Sequence, residues 1–339
     1  MRDDLGITTK LENGKAYLEF ALPEKIGRLL SALQIEIWEE AEGGRLVFHG
    51  EYSSEEADSM TALLLRPHLW DGMRDPYVYL VKAQGRFRSV EYGEKMGGME
   101  KEEKLDSAED ITGEVEMYWR QELTIYDVRV VEKKGILLNE KEFLPHEVVY
   151  RLPPQISDAG MRVEQVRRDL ERLARMGVNA IRLEGTGSGA ERQNCYEVRA
   201  FYRLCRRGGF LTGDLWIRPE NLPVYRGLPG ETTCQALLAA DGRTLTERYY
   251  YYQAKWSSEP VLYPVLSTLH RQENGLLSLT IYSNQKKVVL YVDGLLFLFQ
   301  TATSGDPEFI FEDIPVEKLP LHLAVEAGNL SISLTVTKL

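Results

Sequence analysis

The sequence predicts a multidomain chain that is β, then α/β, then β again. Three observations carry this. Residues 1–136 hold short runs such as ALQIEIW, RLVFHGEY, YVYLVKA and EVEMYWRQELTIYDVRVV, in which apolar and polar residues alternate. That is the period of half-buried strands. The middle of the chain switches to helical spacing, and from Tyr249 onward short β-type runs return with a turn about every ten residues, the pattern of an immunoglobulin-like sandwich.

In the first part, Gly43-Gly44 falls between two alternating runs and reads as a hairpin turn. Residues 93–110, GEKMGGMEKEEKLDSAED, interrupt the pattern with a charged stretch read as a mobile, solvated surface loop. In the middle part, Val163, Val166, Leu170 and Leu173 fall on one face of a helix over residues 162–176, with arginines and acids on the other. Gly177 stands at the place of a C-terminal cap. VNAIRLE then reads as a buried strand, CYEVRAFYRLCRR as a second amphipathic helix and GGFLTGDLWI as a second strand, which together imply a parallel βαβ unit. The Pro/Gly-rich stretch from about Arg218 reads as a linker, over residues 222–248. The last part contains VLYPVLS, LLSLTIYS, KVVLYVDGLLFLF, EFIFEDI, LHLAVEA and LSISLTVTKL.

Bulk properties exclude several classes of function. The 339 residues allow two or three domains. An apolar content of 43% with 10% aromatics is that of a soluble globular protein. Forty-one basic against 52 acidic residues leave a net charge of −11, which repels polyphosphate and makes nucleic acid and anionic membranes poor partners. Cys195, Cys205 and Cys234 show neither metal-type spacing nor a disulfide framework. The N-terminal MRDDLGITTK has no apolar core of a signal peptide, and KVVLYVDGLLFLF is too short to span a bilayer, so the expectation is a cytoplasmic protein.

The sharpest local feature is NAIRLEGTGSGAER at residues 179–192, where an apolar run leads through glycines into a helix-forming stretch. A phosphate-binding loop has this order. Here Gly185, Gly187 and Gly189 give G-x-G-x-G, one residue short of the dinucleotide fingerprint. The doubly wound folds that use such loops also need more consecutive βα units than this chain offers. No cofactor is expected.

The flanking residues resemble another family. VRRDLERLARMGVNAIR followed by FYRLCRRGGFL is similar to the start of the catalytic barrel in glycoside hydrolase family 2, the β-galactosidase and β-glucuronidase family; Asp169, Leu170, Asn179, Ala180, Ile181, Arg182, Tyr202, Leu204, Cys205 and Gly209 carry the match. Upstream, LWDGMRDPYVYLV (69–81) resembles a motif of the family's sandwich domain, and YDVRVVEKKGILLNEKEF (126–143) its approach to the barrel. Downstream, ERYYYYQAKWSSEPVLY (247–263) resembles the opening of a C-terminal sandwich. The resemblance implies an immunoglobulin-like β-sandwich at 1–136, a truncated (β/α) barrel fragment at 137–221 and a C-terminal immunoglobulin-like β-sandwich at 249–339.

Departures from the family decide the functional expectation. Asn139 to Trp216 spans about 80 residues, whereas a complete barrel takes about 250. The family's acid/base and nucleophilic glutamates have no counterpart, and no N-terminal jelly-roll domain is legible. The family's Asn-Gly turn is Asn139-Glu140 here. GGFLTGDLW fits either an early barrel strand or the last one. A retaining glycosidase needs two carboxyl groups about 5 to 5.5 Å apart. Glu184 and Asp214, at the ends of neighbouring parallel strands, are the catalytic candidates. Arg182, at the floor of the family's sugar site, joins Trp216 and Glu220 as candidate substrate-binding residues; Arg182 is equally placed to form an ion pair with Asp169 or Glu184. No metal site is expected. The reading is a non-catalytic carbohydrate-binding or interaction protein derived from this lineage. An active glycoside hydrolase with relocated carboxylates or a completing partner chain, and a ligand-free structural oligomer, are the alternatives. The open barrel edge at Leu211–Ile217 is the expected surface for a homodimer.

Overall fold

The computed structural model describes residues 5–39, 44–90, 111–152, 159–184, 195–212, 222–227, 236–303 and 305–338. The chain divides into two compact units, residues 1–144 and 145–339. Both are dominated by β-structure, with few helices.

The first unit begins with β1 (Gly6–Glu12), β2 (Lys15–Ala21), the one-turn α1 (Glu24–Gly27), β3 (Leu30–Glu39), β4 (Leu46–Ser53), β5 (Thr61–Leu65), β6 (Tyr79–Val90) and β7 (Ile111–Leu123). These make a three-stranded sheet in the order β1-β2-β5 and a four-stranded sheet in the order β4-β3-β6-β7, with antiparallel pairing throughout. Alternation places Ala16, Leu18 and Phe20 of β2 and Leu33, Ile35 and Ile37 of β3 in one apolar core. A small antiparallel sheet follows, built from β8 (Val128–Val131), β9 (Gly135–Leu138) and β10 (Lys141–Phe143). Its β9–β10 turn is Asn139-Glu140, with φ of 48° and 67° at the two residues. Two successive left-handed residues are the geometry of a two-residue hairpin loop that favours Asn-Gly. Asn139 suits it and ties the loop down, accepting from the Asp127 N–H at 3.0 Å and donating to the Trp70 carbonyl at 2.9 Å. The stretch read as an approach to the barrel forms this three-stranded sheet at the end of the first unit.

The second unit opens with β11 (Glu147–Tyr150), α2 (Ala159–Met176), β12 (Ala180–Leu183), α3 (Cys195–Arg207), β13 (Leu211–Thr212), β14 (Val224–Arg226), β15 (Ala236–Leu238) and α4 (Glu247–Trp256). The five strands form one parallel sheet in the order β13-β12-β11-β14-β15. The expected βαβ unit is present, and GGFLTGDLW supplies the strand beside β12 rather than one closing on β11. The place beside β11 is taken by β14.

This corrects the linker reading of residues 222–248, which contribute β14, β15, a bridge between Leu238 and Leu245 and the start of α4. Strands of three residues are too short to show a period, and Pro223 and Gly227 bracket β14 as turn residues would bracket a linker. A second correction concerns Tyr249, the start of the expected sandwich, which lies in α4. Tyrosine-rich sequence favours strands in general, but here Tyr249 packs its ring into the α/β core and donates its hydroxyl to the Arg172 carbonyl at 3.0 Å.

Helix α2 buries Val166, Leu170 and Leu173 of the expected stripe and leaves Val163 half-buried, yet Arg162 and Asp169 are buried too, so its charges are not all on the solvent side. Gly177 caps it with φ of 90°. The Gly177 N–H donates to Ala174 O at 2.9 Å and the Val178 N–H to Leu173 O at 3.0 Å. A Cβ on Gly177 would stand 2.4 Å from the Trp256 carbonyl oxygen, so glycine here also permits the end of α4 to approach.

Helix α4 packs against α2 and β15 and also against the strands that follow. These are β16 (Leu262–Arg271), β17 (Leu277–Ser283), β18 (Lys287–Val292), β19 (Leu295–Thr301), β20 (Glu308–Ile314), β21 (Leu321–Ala327) and β22 (Leu330–Val336). They make sheets of order β16-β17-β20 and β19-β18-β21-β22 around a second apolar core. Stacking of Tyr250 on Tyr263, centroids 3.8 Å apart, joins α4 to this part.

Candidate functional site

In parallel α/β sheets, side chains that reach a ligand come from the C-terminal ends of strands. Here β11 ends into Arg151, β12 into Glu184 and β14 into Gly227. Arg151 ties these ends together. Its guanidinium donates Nε to one Glu184 carboxylate oxygen and Nη2 to the other at 3.4 Å, while Nη1 reaches the Arg226 carbonyl at 3.2 Å. The Glu184 N–H donates to Tyr150 O at 2.9 Å, continuing the ladder to the rim. The Arg151 side chain is 18% exposed and that of Glu184 46%, so the pair stands at the edge of solvent.

A second pair lies deeper. Val148, Tyr150 and Ile181 face the helices, so alternation turns Glu147, Val149 and Arg182 to the opposite face of the sheet. There Arg182 Nε donates to Glu147 Oε1 at 3.0 Å, with the Glu147 side chain fully buried. The ion-pair partner of Arg182 is therefore Glu147, which was not one of the two partners, Asp169 and Glu184, weighed from sequence. The adjacent His146 has its Nδ1 2.9 Å from the Gly177 carbonyl and its ring stacked on Trp256 at 5.2 Å. Burial holds its pKa below the usual 6.5.

Asp169 is the centre of the helix-side core. It is fully buried and accepts from Tyr150 Oη at 2.9 Å, Tyr225 Oη at 3.0 Å, Arg226 Nη2 at 2.9 Å and Gln165 Nε2 at 2.9 Å. Burial, and then the Asp169 charge, push both tyrosine hydroxyls up, so they stay protonated as donors. With every donor turned to one carboxylate, this cluster fastens α2 to β11 and β14.

Of the sequence candidates, Glu184 and Arg182 lie on either side of Leu183 at the end of β12 but in separate ion pairs. Asp214, Trp216 and Glu220 lie outside the described residues, as do the glycines of the 185–189 turn and the charged stretch 93–110. Arg151 and Glu147 were missed as partners. The rule that parallel strands present their C-terminal ends would have pointed to Arg151 had the short strand EVVY been recognised. Among the described residues no group of three or more His, Cys, Asp or Glu side chains is placed to hold a metal ion. No helix among them is long and apolar enough to cross a membrane. Cys205 is buried in α3, where burial pushes its thiol pKa well up.

The fold is that of glycoside hydrolase family 2 proteins. It is similar to an FMN-binding β-glucuronidase from Facaelibacterium prausnitzii L2-6 (TM-score 0.66, 13% identity), covering 99% of this chain and 73% of that one. A β-glucuronidase from Parabacteroides merdae matches 98% of this chain and 63% of its own (TM-score 0.62, 10% identity). A glycosyl hydrolase family 2 member from Bacteroides cellulosilyticus DSM 14838 does so over 98% and 63% (TM-score 0.60, 13% identity). The chain thus spans between 63% and 73% of the length of these three proteins. No protein-family model matches it, and no curated protein matches it by sequence.

Proposed function

We propose that the chain is a non-catalytic carbohydrate-binding or interaction protein derived from the family 2 glycosidase lineage, with two immunoglobulin-like sandwiches and an incomplete (β/α) barrel. The observation that carries this is the engagement of Glu184 by Arg151. A glycosidase general acid sits in apolar surroundings that keep it protonated. Glu184 instead has both oxygens turned to a guanidinium, the environment of an ion pair. The neighbouring carboxylate, Glu147, is committed to Arg182 on the far face. The similarity to β-glucuronidases favours a sugar as the ligand, and the rim formed by Arg151 and Glu184, with Trp216 and Glu220 as further candidates, is where it would sit.

Nitrophenyl glycosides and a glycan array test this together. Sugar binding without turnover is the expected result. Turnover lost in Glu184→Gln or Asp214→Asn would overturn the non-catalytic reading in favour of an active hydrolase. Neither turnover nor glycan binding would leave a scaffold role and remove the sugar.

A further inference from the structure

The most apolar exposed surface among the described residues lies on β19. Leu295 is 76% exposed, Leu296 60%, Leu298 42% and Phe299 51%, with Ile310 of β20 at 50%. A single exposed leucine is ordinary, whereas a run of them on one strand marks an interaction surface. Among the described residues β19 also ends its sheet, and no strand of theirs pairs with its outer row of N–H and C=O groups, the arrangement that templates pairing with another chain. The first sandwich provides an internal control. β4 holds the same place in its own four-stranded sheet, and its apolar residues are interrupted by His49 and by the carboxylate of Glu51, the kind of side chain that blunts an edge. β19 reads LLFLFQT, seven residues with no charge.

We propose that β19 pairs antiparallel with β19 of a second copy of this chain, forming a two-fold dimer with a continuous eight-stranded sheet across the interface. The strand is complementary to itself. Laid antiparallel on its own copy, every cross-strand pair is uncharged, and the ends match. Asp293 stands in the turn before Leu295, while Lys287 pairs with Thr301 and its ammonium lies 4.2 Å from the centre of the Phe299 ring. Antiparallel pairing brings the Asp293 end of one copy toward the Lys287 end of the other. The five apolar side chains expose on the order of 500 Å² per copy, which suits the centre of an interface whose usual size is about 800 Å² per partner with a polar rim. A two-fold axis brings the same patch to itself, the commonest symmetry in soluble oligomers. This dimer is independent of the sugar-binding reading and uses a different surface from the sheet edge at Leu211.

Light scattering on the full chain at micromolar concentration and physiological salt tests it. The expected mass is twice the 38.8 kDa of one chain. Leu296→Glu with Phe299→Glu places like charges on the joined edge and is expected to raise the concentration for half-dimerisation at least tenfold, with circular dichroism and urea midpoint unchanged. If the double variant fails to fold, Leu295→Glu, at the most exposed position, gives the same reading. A monomeric unaltered chain would overturn the proposal and leave the face to another occupant. A dimer that persists at full strength in a folded variant would equally overturn it and move the interface elsewhere, the edge at Leu211 included.

Discussion

The two sandwiches share a strand order and differ in what they do with it. In each, the first, second and fifth strands make one sheet, and the fourth, third, sixth and seventh make the other. Their cores are alike in kind, aliphatic with a few aromatics, although their sequences differ. The difference lies at the fourth strand: in β4 His49 and Glu51 interrupt the apolar residues, whereas β19 carries no charged side chain. Topology follows from alternation and turns, which both sequences satisfy, whereas edge polarity is free to follow the use of the surface. The α/β segment between them in the chain contrasts with both. Every charged side chain classed as buried among the described residues, Glu147, Arg162, Asp169 and Arg226, is there; the C-terminal sandwich buries only Ser278 and Ser283 among polar residues.

The contrast in buried charge predicts the largest effect. Asp169→Ala removes the acceptor of four hydrogen bonds and leaves Arg226, 9% exposed in its side chain, without its carboxylate. Breaking a buried pair on one side costs about 3–5 kcal/mol. Urea unfolding of the second unit, followed by Trp256 fluorescence, should shift by that amount. A shift below about 1 kcal/mol would mean that the cluster is hydrated and that the α/β segment resembles the sandwiches after all.

The likeness of the two cores predicts the next. Ile35 of β3 and Leu290 of β18 hold equivalent central strands and are both fully buried. Ile35→Ala and Leu290→Ala should each cost about 2–5 kcal/mol, with the first destabilising only the unit 1–144 and the second only 145–339. Limited proteolysis resolves which unit opens. If either substitution loosens both units, the division into two units does not hold in solution.

The same contrast explains how much was legible in the sequence. Strands such as ALQIEIW and LHLAVEA bury alternate residues, and the α2 stripe buries Val166, Leu170 and Leu173. Both patterns can be read without a structure because one face meets water. EVVY, VYR and ALL are short and mostly buried on both faces, so period vanishes, and three of the five parallel strands escaped. The site suffered for the same reason. Glu184 and Arg182 stood out at the end of a recognisable strand, but their partners Arg151 and Glu147 lie 33 and 35 residues away and become neighbours only through the β11–β12 register. Aromatic β-propensity misdirected the reading of Tyr249–Tyr252, whose helix is imposed by packing on α2 and on the strands after it.

A smaller effect separates the turns. The β1–β2 and β18–β19 hairpins turn on Asn13-Gly14 and Asp293-Gly294, each with two positive φ values, whereas β9–β10 places Glu140 at φ of 67°. A side chain in that region costs roughly 1–2 kcal/mol. Its compensation is an ion pair with Arg129 at 2.9 Å, with the Glu140 side chain 81% exposed, and such pairs contribute little. Glu140→Gly should therefore stabilise the first unit by about 1 kcal/mol, partly offset by greater freedom of the unfolded chain. Thermal unfolding measures it, and a lower melting temperature would show that the ion pair matters more than the backbone.

The smallest effect concerns a titration that neither sandwich core shares. His146 is half-buried beside the α2 cap, stacked on Trp256, and burial lowers its pKa from 6.5. Its Nδ1 lies against the Gly177 carbonyl, so the neutral ring donates there and leaves Nε2 without a proton. The folded state thus resists the second proton, which the unfolded chain accepts near pH 6.5. It follows that the contribution of neutral His146 is fully present above about pH 6.5 and is lost as pH falls from there toward the lower folded value. His146→Gln keeps a donor for Gly177 and cannot charge. The stability difference between the unaltered chain and this variant, read from urea midpoints of the second unit at pH 7.5 and 5.5, should therefore narrow or reverse on acidification. Subtracting the variant cancels the titration of the other histidines. A difference that stays constant across that range would show that the ring takes up its proton as easily in the fold as outside it, and that the α2–α4 joint is open to water.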